Sequence, residues 1–181
     1  MTDAALVARL KQGEVQAFQA VVRDFQPRLY AFLLRLTGRP AIAAELLQET
    51  WLSLAAEAPW LRDDTTLAAW LFTVARNHHL SHRRWSVLDG TRLAELLGRE
   101  EGRRDEHTPE SAAIAGQAQA RLEAAIAKLP LKYREAVLLV AVEQFEPSEA
   151  ARILGITPEA FRQRLSRGRA ELRPLLDEDA S

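Results

Sequence analysis

A chain of 181 residues with a hydrophobic fraction of 48% has enough apolar surface for one large or two small domains, each with its own core. Cysteine is absent, which excludes disulfides and thiolate metal sites, and no apolar run approaches the length that spans a bilayer. The formal net charge of −1 argues against a protein that coats nucleic acid indiscriminately, and the scarcity of turn formers, 8 Gly and 8 Pro, favours an all-α fold.

The first residues, MTDAALVARLKQGE, lack a basic start followed by an apolar stretch, so no secretion signal is expected and a cytoplasmic location follows. Helical periodicity runs over residues 2–87, with breaks expected at Gly13, near Pro27, at Gly38-Arg39-Pro40 and across residues 58–66, giving four or five helices. In this part Glu45, Gln48 and Glu49 fall at i, i+3 and i+4 and share an exposed face, while Leu47, Thr50, Trp51 and Leu54 turn towards the core. Alone, such a face is ordinary solvated surface; it is also a place where a partner can dock. Residues 69–85 begin apolar and end with Arg76, Asn77, His79, Arg83 and Arg84 on an aromatic-flanked helix, a mixture that suits a nucleic-acid strand whose bases stack and whose phosphates attract cations. His78 and His82 lie one turn apart, but no carboxylate stands in that segment and adjacent histidines diverge, so no metal site is expected.

Residues 88–107 are dense in charge and contain glycines, as an exposed tether does. Thr108-Pro109-Glu110 then opens a new helix, and four helices are expected up to Leu176, broken at Pro130, around Glu146-Pro147 and at Gly155. The expected organisation is a helical domain at 1–88, a linker at 89–108, a second helical domain at 109–176 and a frayed tail at 177–181.

The strongest local signal lies in residues 144–173, QFEPSEAARILGITPEAFRQRLSRGRAELR. Gly155 suits the left-handed position that closes a helix; Thr157 can cap the next, Pro158 fits its first turn, and Ile156 and Phe161 form a hydrophobic staple across the cap. Phe161, Leu165, Gly168 and Leu172 recur at core spacing, with Gly168 allowing a neighbouring helix to approach closely. The other faces carry Arg162, Gln163, Arg164, Ser166, Arg167, Arg169 and Arg173, so the five arginines outnumber Glu159 and Glu171 by three in a chain that is acidic overall. This is the pattern of a helix-turn-helix whose second helix meets DNA, where arginine reaches both phosphates and base edges.

With these motifs in this order, the chain resembles an extracytoplasmic-function sigma factor of bacterial RNA polymerase, the compact class that keeps only the second and fourth sigma regions. The resemblance covers nearly the whole chain. Glu45-Leu46-Leu47-Gln48-Glu49-Thr50-Trp51 resembles the family's Asp-Leu-x-Gln-Glu-x-Phe motif; Trp70-Leu71, Ala75-Arg76-Asn77 and Arg84 follow its next pattern, and Leu129-Pro130 with Tyr133-Arg134-Glu135 resembles the start of its fourth region. The resemblance implies that Glu45, Leu46, Gln48 and Glu49 bind the polymerase clamp. It implies that Trp60, Arg62, Asp63, Arg76, Asn77, His79, Arg83 and Arg84 meet the opened minus-10 strand, with the loop at 59–65 receiving a flipped base, and that Thr157, Glu159, Arg162, Gln163, Ser166 and Arg167 read the minus-35 duplex. The implied partners are core RNA polymerase, promoter DNA and an anti-sigma factor, with no cofactor, no metal, no membrane insertion and a monomeric free state.

The chain departs from the family at Ala44-Glu45, where Glu-Asp is usual, at Ser81 in place of Asp, at Gln144 and Glu146 in place of Gly and Ser or Thr, and at Ala160 in place of a frequent Thr. An alternative reading is a sigma-like protein that only sequesters an anti-sigma factor, although such mimics lose the basic residues kept here. An enzyme finds no support: there is no Ser-His-Asp order, no phosphate-cradling glycine loop and no convergent metal ligand set.

Overall fold

The computed structural model describes residues 2–88 and 110–178 and divides into two compact units, residues 1–99 and 100–181. Every regular element among the described residues is helical. The tether expected at 89–108 and the cap at Thr108-Pro109 lie outside them.

The first unit contains α1 (Asp3–Lys11), α2 (Val15–Thr37) and α3 (Pro40–Glu57), then a 3-10 turn at Ala58–Trp60 and α4 (Leu67–Leu88). Gly13, at φ +72°, closes α1: its N–H returns to the Leu10 carbonyl at 2.9 Å and the Glu14 N–H to the Arg9 carbonyl at 3.2 Å. Gly38 ends α2 in the same left-handed region, and Pro40 starts α3 where a missing N–H leaves no bond unmade. The break expected near Pro27 does not occur; α2 runs straight through it. Pro27 is exposed, whereas Ala17 and Val21 before it and Leu29, Phe32, Leu33 and Leu36 after it are buried against α3 and α4. Burial of that stripe on both sides outweighs a local penalty of about 3 kcal/mol. The centre of this core is an edge-on contact of Phe32 with Phe72 at 5.1 Å, over which the Arg28 guanidinium stands 5.5 Å from the Phe72 ring.

The second unit contains α5 (Glu110–Lys128), α6 (Leu131–Val137), a π turn at Leu138–Val142, α7 (Pro147–Leu154) and α8 (Pro158–Glu178). Arg134 reaches back across Pro130 and donates to the carbonyls of Ala127 and Leu129, satisfying acceptors at the end of α5. Gly168 sits where α8 crosses α6: a Cβ there would lie 2.8 Å from Val137 Cγ2 and 3.2 Å from the Tyr133 carbonyl oxygen. The close approach expected of Gly168 is therefore present, and Gly168→Val is expected to cost about 3 kcal/mol of stability by overpacking, measured by urea unfolding. The tail expected to fray at 177 instead continues α8 to Glu178, past an internal Pro174.

The π turn has no counterpart in the sequence expectations. Two residues past its end stands Gln144, the one non-glycine residue at positive φ among those described (φ +59°), after which the Phe145 N–H returns to the Leu139 carbonyl at 3.0 Å. At this φ Gln144 adopts a backbone shape that costs an L-residue roughly 1–2 kcal/mol and that glycine, which the resemblance implies here, takes without strain. Glycine's greater freedom in the unfolded chain offsets part of the gain, and Gln144→Gly is expected to raise stability by about 1 kcal/mol, read as a higher denaturation midpoint at unchanged slope.

Candidate polymerase and nucleic-acid interfaces

On α3, the buried side is built by Ala43, Leu46, Leu47, Thr50 and Leu54, with the Thr50 hydroxyl donating to the Leu46 carbonyl at 2.8 Å. Glu45 and Gln48 are exposed and Glu49 is half-buried on the opposite side. Leu46, grouped above with the polymerase-binding residues, is 1% exposed and belongs to the core. It seats the helix in the core. His78 of α4 was not foreseen as part of this face. Its Nδ1 lies 3.2 Å from Glu49 Oε2, and a hydrogen bond of 2.9 Å joins its Nε2 to Ser53 Oγ. Leu52 and Trp85, both exposed, flank the groove in which these groups meet. Glu49 and Ser53 are four apart on α3, but only tertiary register brings His78 between them, and no sequence pattern signals that.

Between α3 and α4 the chain presents Trp60, 84% exposed, on a segment anchored by buried Ala58 and Leu61. Arg62 and Asp64 pair through two contacts of 2.9 and 3.0 Å, and that hydrogen bond, then the opposite charge, lowers the Asp64 carboxyl below its ordinary range. Asp63 is held by Lys11 of α1 at 2.5 Å. On α4, Asn77 and Arg84 are exposed and Arg76 and Arg83 half-buried, all within three turns of one helix. His79 is the exception: it is 3% exposed and faces the interior. The reason is readable afterwards, because His79 follows Leu67, Leu71 and Ala75 at a constant spacing of four, and those residues form the buried stripe.

The helix-turn-helix has the local chemistry that its residues demand. Gly155, at φ +63°, returns its N–H to Arg152 and Ile156 returns its own to Ala151, both at 3.1 Å, the paired bonds of a left-handed helix stop. Thr157 Oγ1 accepts the Ala160 N–H at 3.2 Å, so the hydroxyl grouped above with minus-35 readers is engaged as a helix cap. Phe161, Leu165 and Gly168 are buried, whereas Glu159, Arg162, Gln163, Ser166, Arg167, Arg169 and Arg173 are exposed. Arg167 also reaches the Tyr133 hydroxyl; that hydrogen bond pulls the phenol below its ordinary pKa and raises the guanidinium. Arg167 thus leans on α6, while Arg162, Gln163 and Ser166 are exposed in the first turns of α8. Glu146 precedes α7 without a side-chain cap hydrogen bond.

Comparison with known proteins matches these two units separately: sigma-70 region 2 matches residues 21–85, and sigma-70 region 4 matches residues 119–172. The chain is 32% identical over 173 residues to the RNA polymerase sigma factor CarQ of Myxococcus xanthus, covering 94% of this chain and 95% of that protein. It is 31% identical over 160 residues to the ECF RNA polymerase sigma factor EcfG of Rhodopseudomonas palustris, covering 86% and 82% respectively. A solved structure of the sigma factor RpoE of Bartonella quintana, in complex with the anti-sigma factor NepR, superposes with a TM-score of 0.73 at 27% identity, covering 90% of this chain and 98% of that one. The chain belongs to the extracytoplasmic-function family of RNA polymerase sigma factors. No helix among the described residues is long and apolar enough to cross a membrane.

Proposed function

We propose that this chain binds core RNA polymerase through the Glu45, Gln48 and Glu49 face of α3 and confers promoter specificity. In this reading α8 reads minus-35 duplex, and the Trp60 loop with α4 holds opened minus-10 DNA. The observation that carries it is the pairing of two surfaces in one chain of this family: a polar α3 face in the region 2 unit and a capped, arginine-faced helix in the region 4 unit. The chain supplies recognition and strand capture, and polymerase supplies the chemistry. Its domains are read as 1–88 and 109–176 joined by the charged segment 89–108, the second extended by the end of α8 at Glu178. An anti-sigma factor is its regulatory partner, by analogy with the RpoE complex. Retention of the exposed arginines on α8 favours transcription over simple sequestration of such a partner.

A net charge of −1 and a small arginine face give little counterion release, so the free protein is expected to bind promoter duplex weakly and to lose it at physiological salt. Adding core polymerase should convert this to sequence-specific binding that survives that salt. A mobility-shift titration with and without core polymerase checks both halves, and tight specific binding by the free protein would point instead to a conventional repressor or activator.

A further inference from the structure

The segment 58–66 has a 3-10 turn at its start and no helix or strand after it, so its shape is set by what grips it. Beside its internal Arg62–Asp64 pair, three grips hold it from outside, and α1 supplies two. Asp3 Oδ2, at the start of α1, accepts the backbone N–H of Leu67 at 3.1 Å and so caps α4 from 64 residues away. Lys11, at the other end of α1, holds Asp63 at 2.5 Å. The third is burial of Ala58 and Leu61, on the 3-10 turn and just after it, against which α1 packs, while Leu6, Val7 and Leu10 fix α1 itself in the core. Between these grips Trp60 is left 84% exposed.

We propose that α1 is a positioning element for the minus-10 loop: Asp3 and Lys11 pre-set the loop so that Trp60 and its neighbours meet an extracted base without first having to order themselves. This rests on the assignment of the loop to opened minus-10 DNA. A loop already in its bound shape loses less freedom on binding, which lowers the barrier to capturing a base that must otherwise return to the duplex. The Lys11–Asp63 pair, with side chains 33% and 88% exposed, contributes little to folding, so its effect belongs in base capture and not in thermal stability.

The test uses full-length protein with core polymerase on a promoter found by run-off transcription, carrying 2-aminopurine at each minus-10 position in turn; the rise in fluorescence reports base extraction. Asp3→Ala, which removes the cap, is expected to slow that rise about five-fold. Lys11→Glu, which sets a like charge against Asp63, is expected to slow it comparably with unchanged Tm and unchanged polymerase affinity. Asp3→Asn, which keeps an acceptor oxygen, and Lys11→Arg restore the rate. Trp60→Ala, run in parallel, marks the loop's own role. Wild-type rates for Asp3→Ala and Lys11→Glu beside a defective Trp60→Ala overturn the positioning role of α1 and leave the loop assignment standing. A normal rate for Trp60→Ala overturns the assignment itself, and the proposal with it. Failure of Asp3→Asn to rescue a slow Asp3→Ala also counts against the proposal.

Discussion

Core polymerase is expected to lose roughly 100-fold in affinity, about 3 kcal/mol, when Gln48 and Glu49 are both replaced by Ala. The size follows from what such a contact does: once a partner covers the α3 face, a carboxylate and an amide there are desolvated, and truncating them leaves the partner's groups buried without theirs. In the free protein the same change is nearly silent. Gln48 is exposed, and Glu49 gives up only the partly exposed contact with His78, so unfolding should shift by less than about 1 kcal/mol. Affinity from a fluorescence titration, set beside a thermal melt, separates the two. Equal affinity for wild type and variant would remove α3 from the polymerase interface.

Arg162→Ala is expected to cost about 1–3 kcal/mol in promoter binding and to relax preference at one minus-35 position, because Arg162 is exposed in the first turns of α8, where major-groove readers place their base contacts. Trp60→Ala and Asn77→Ala should behave differently. Both residues are exposed on the first unit, and their expected role begins only when the duplex opens. A promoter carrying a pre-melted minus-10 bubble should therefore rescue part of the Trp60→Ala and Asn77→Ala defects and none of the Arg162→Ala defect. Equal rescue of all three would mean that the two DNA surfaces are assigned wrongly.

Much of this architecture is legible in the residues because its punctuation is local. Gly13, Gly38 and Gly155 each close a helix in the left-handed region, and Pro40 and Thr157-Pro158 each open one, in agreement with expectation. Gly168 was readable as a close-packing position because it stands on the same stripe as Phe161 and Leu165. What the residues did not show has a different cause. Pro27 breaks an isolated helix but not one clamped by neighbours on both sides, and the burial of Leu46 and His79 depends on how wide a stripe α3 and α4 hide, which follows from their having several helical neighbours. The π turn before Gln144 carries no residue signal at all. Contacts of long sequence separation were equally invisible: Asp3 with Leu67, Lys11 with Asp63 and Glu49 with His78 form only once the bundle has set its register. The polar faces were thus readable as patterns, whereas the supports that hold them in place required the fold.

The most direct measurement is run-off transcription with purified core polymerase and this chain on a library of genomic fragments, with start sites mapped. Start sites are expected to depend on the added chain and to share one minus-35 and one minus-10 element. Arg162→Ala is expected to alter preference in the first element and Trp60→Ala in the second. Transcripts no more abundant or specific than with core polymerase alone would contradict a role for this chain in promoter recognition.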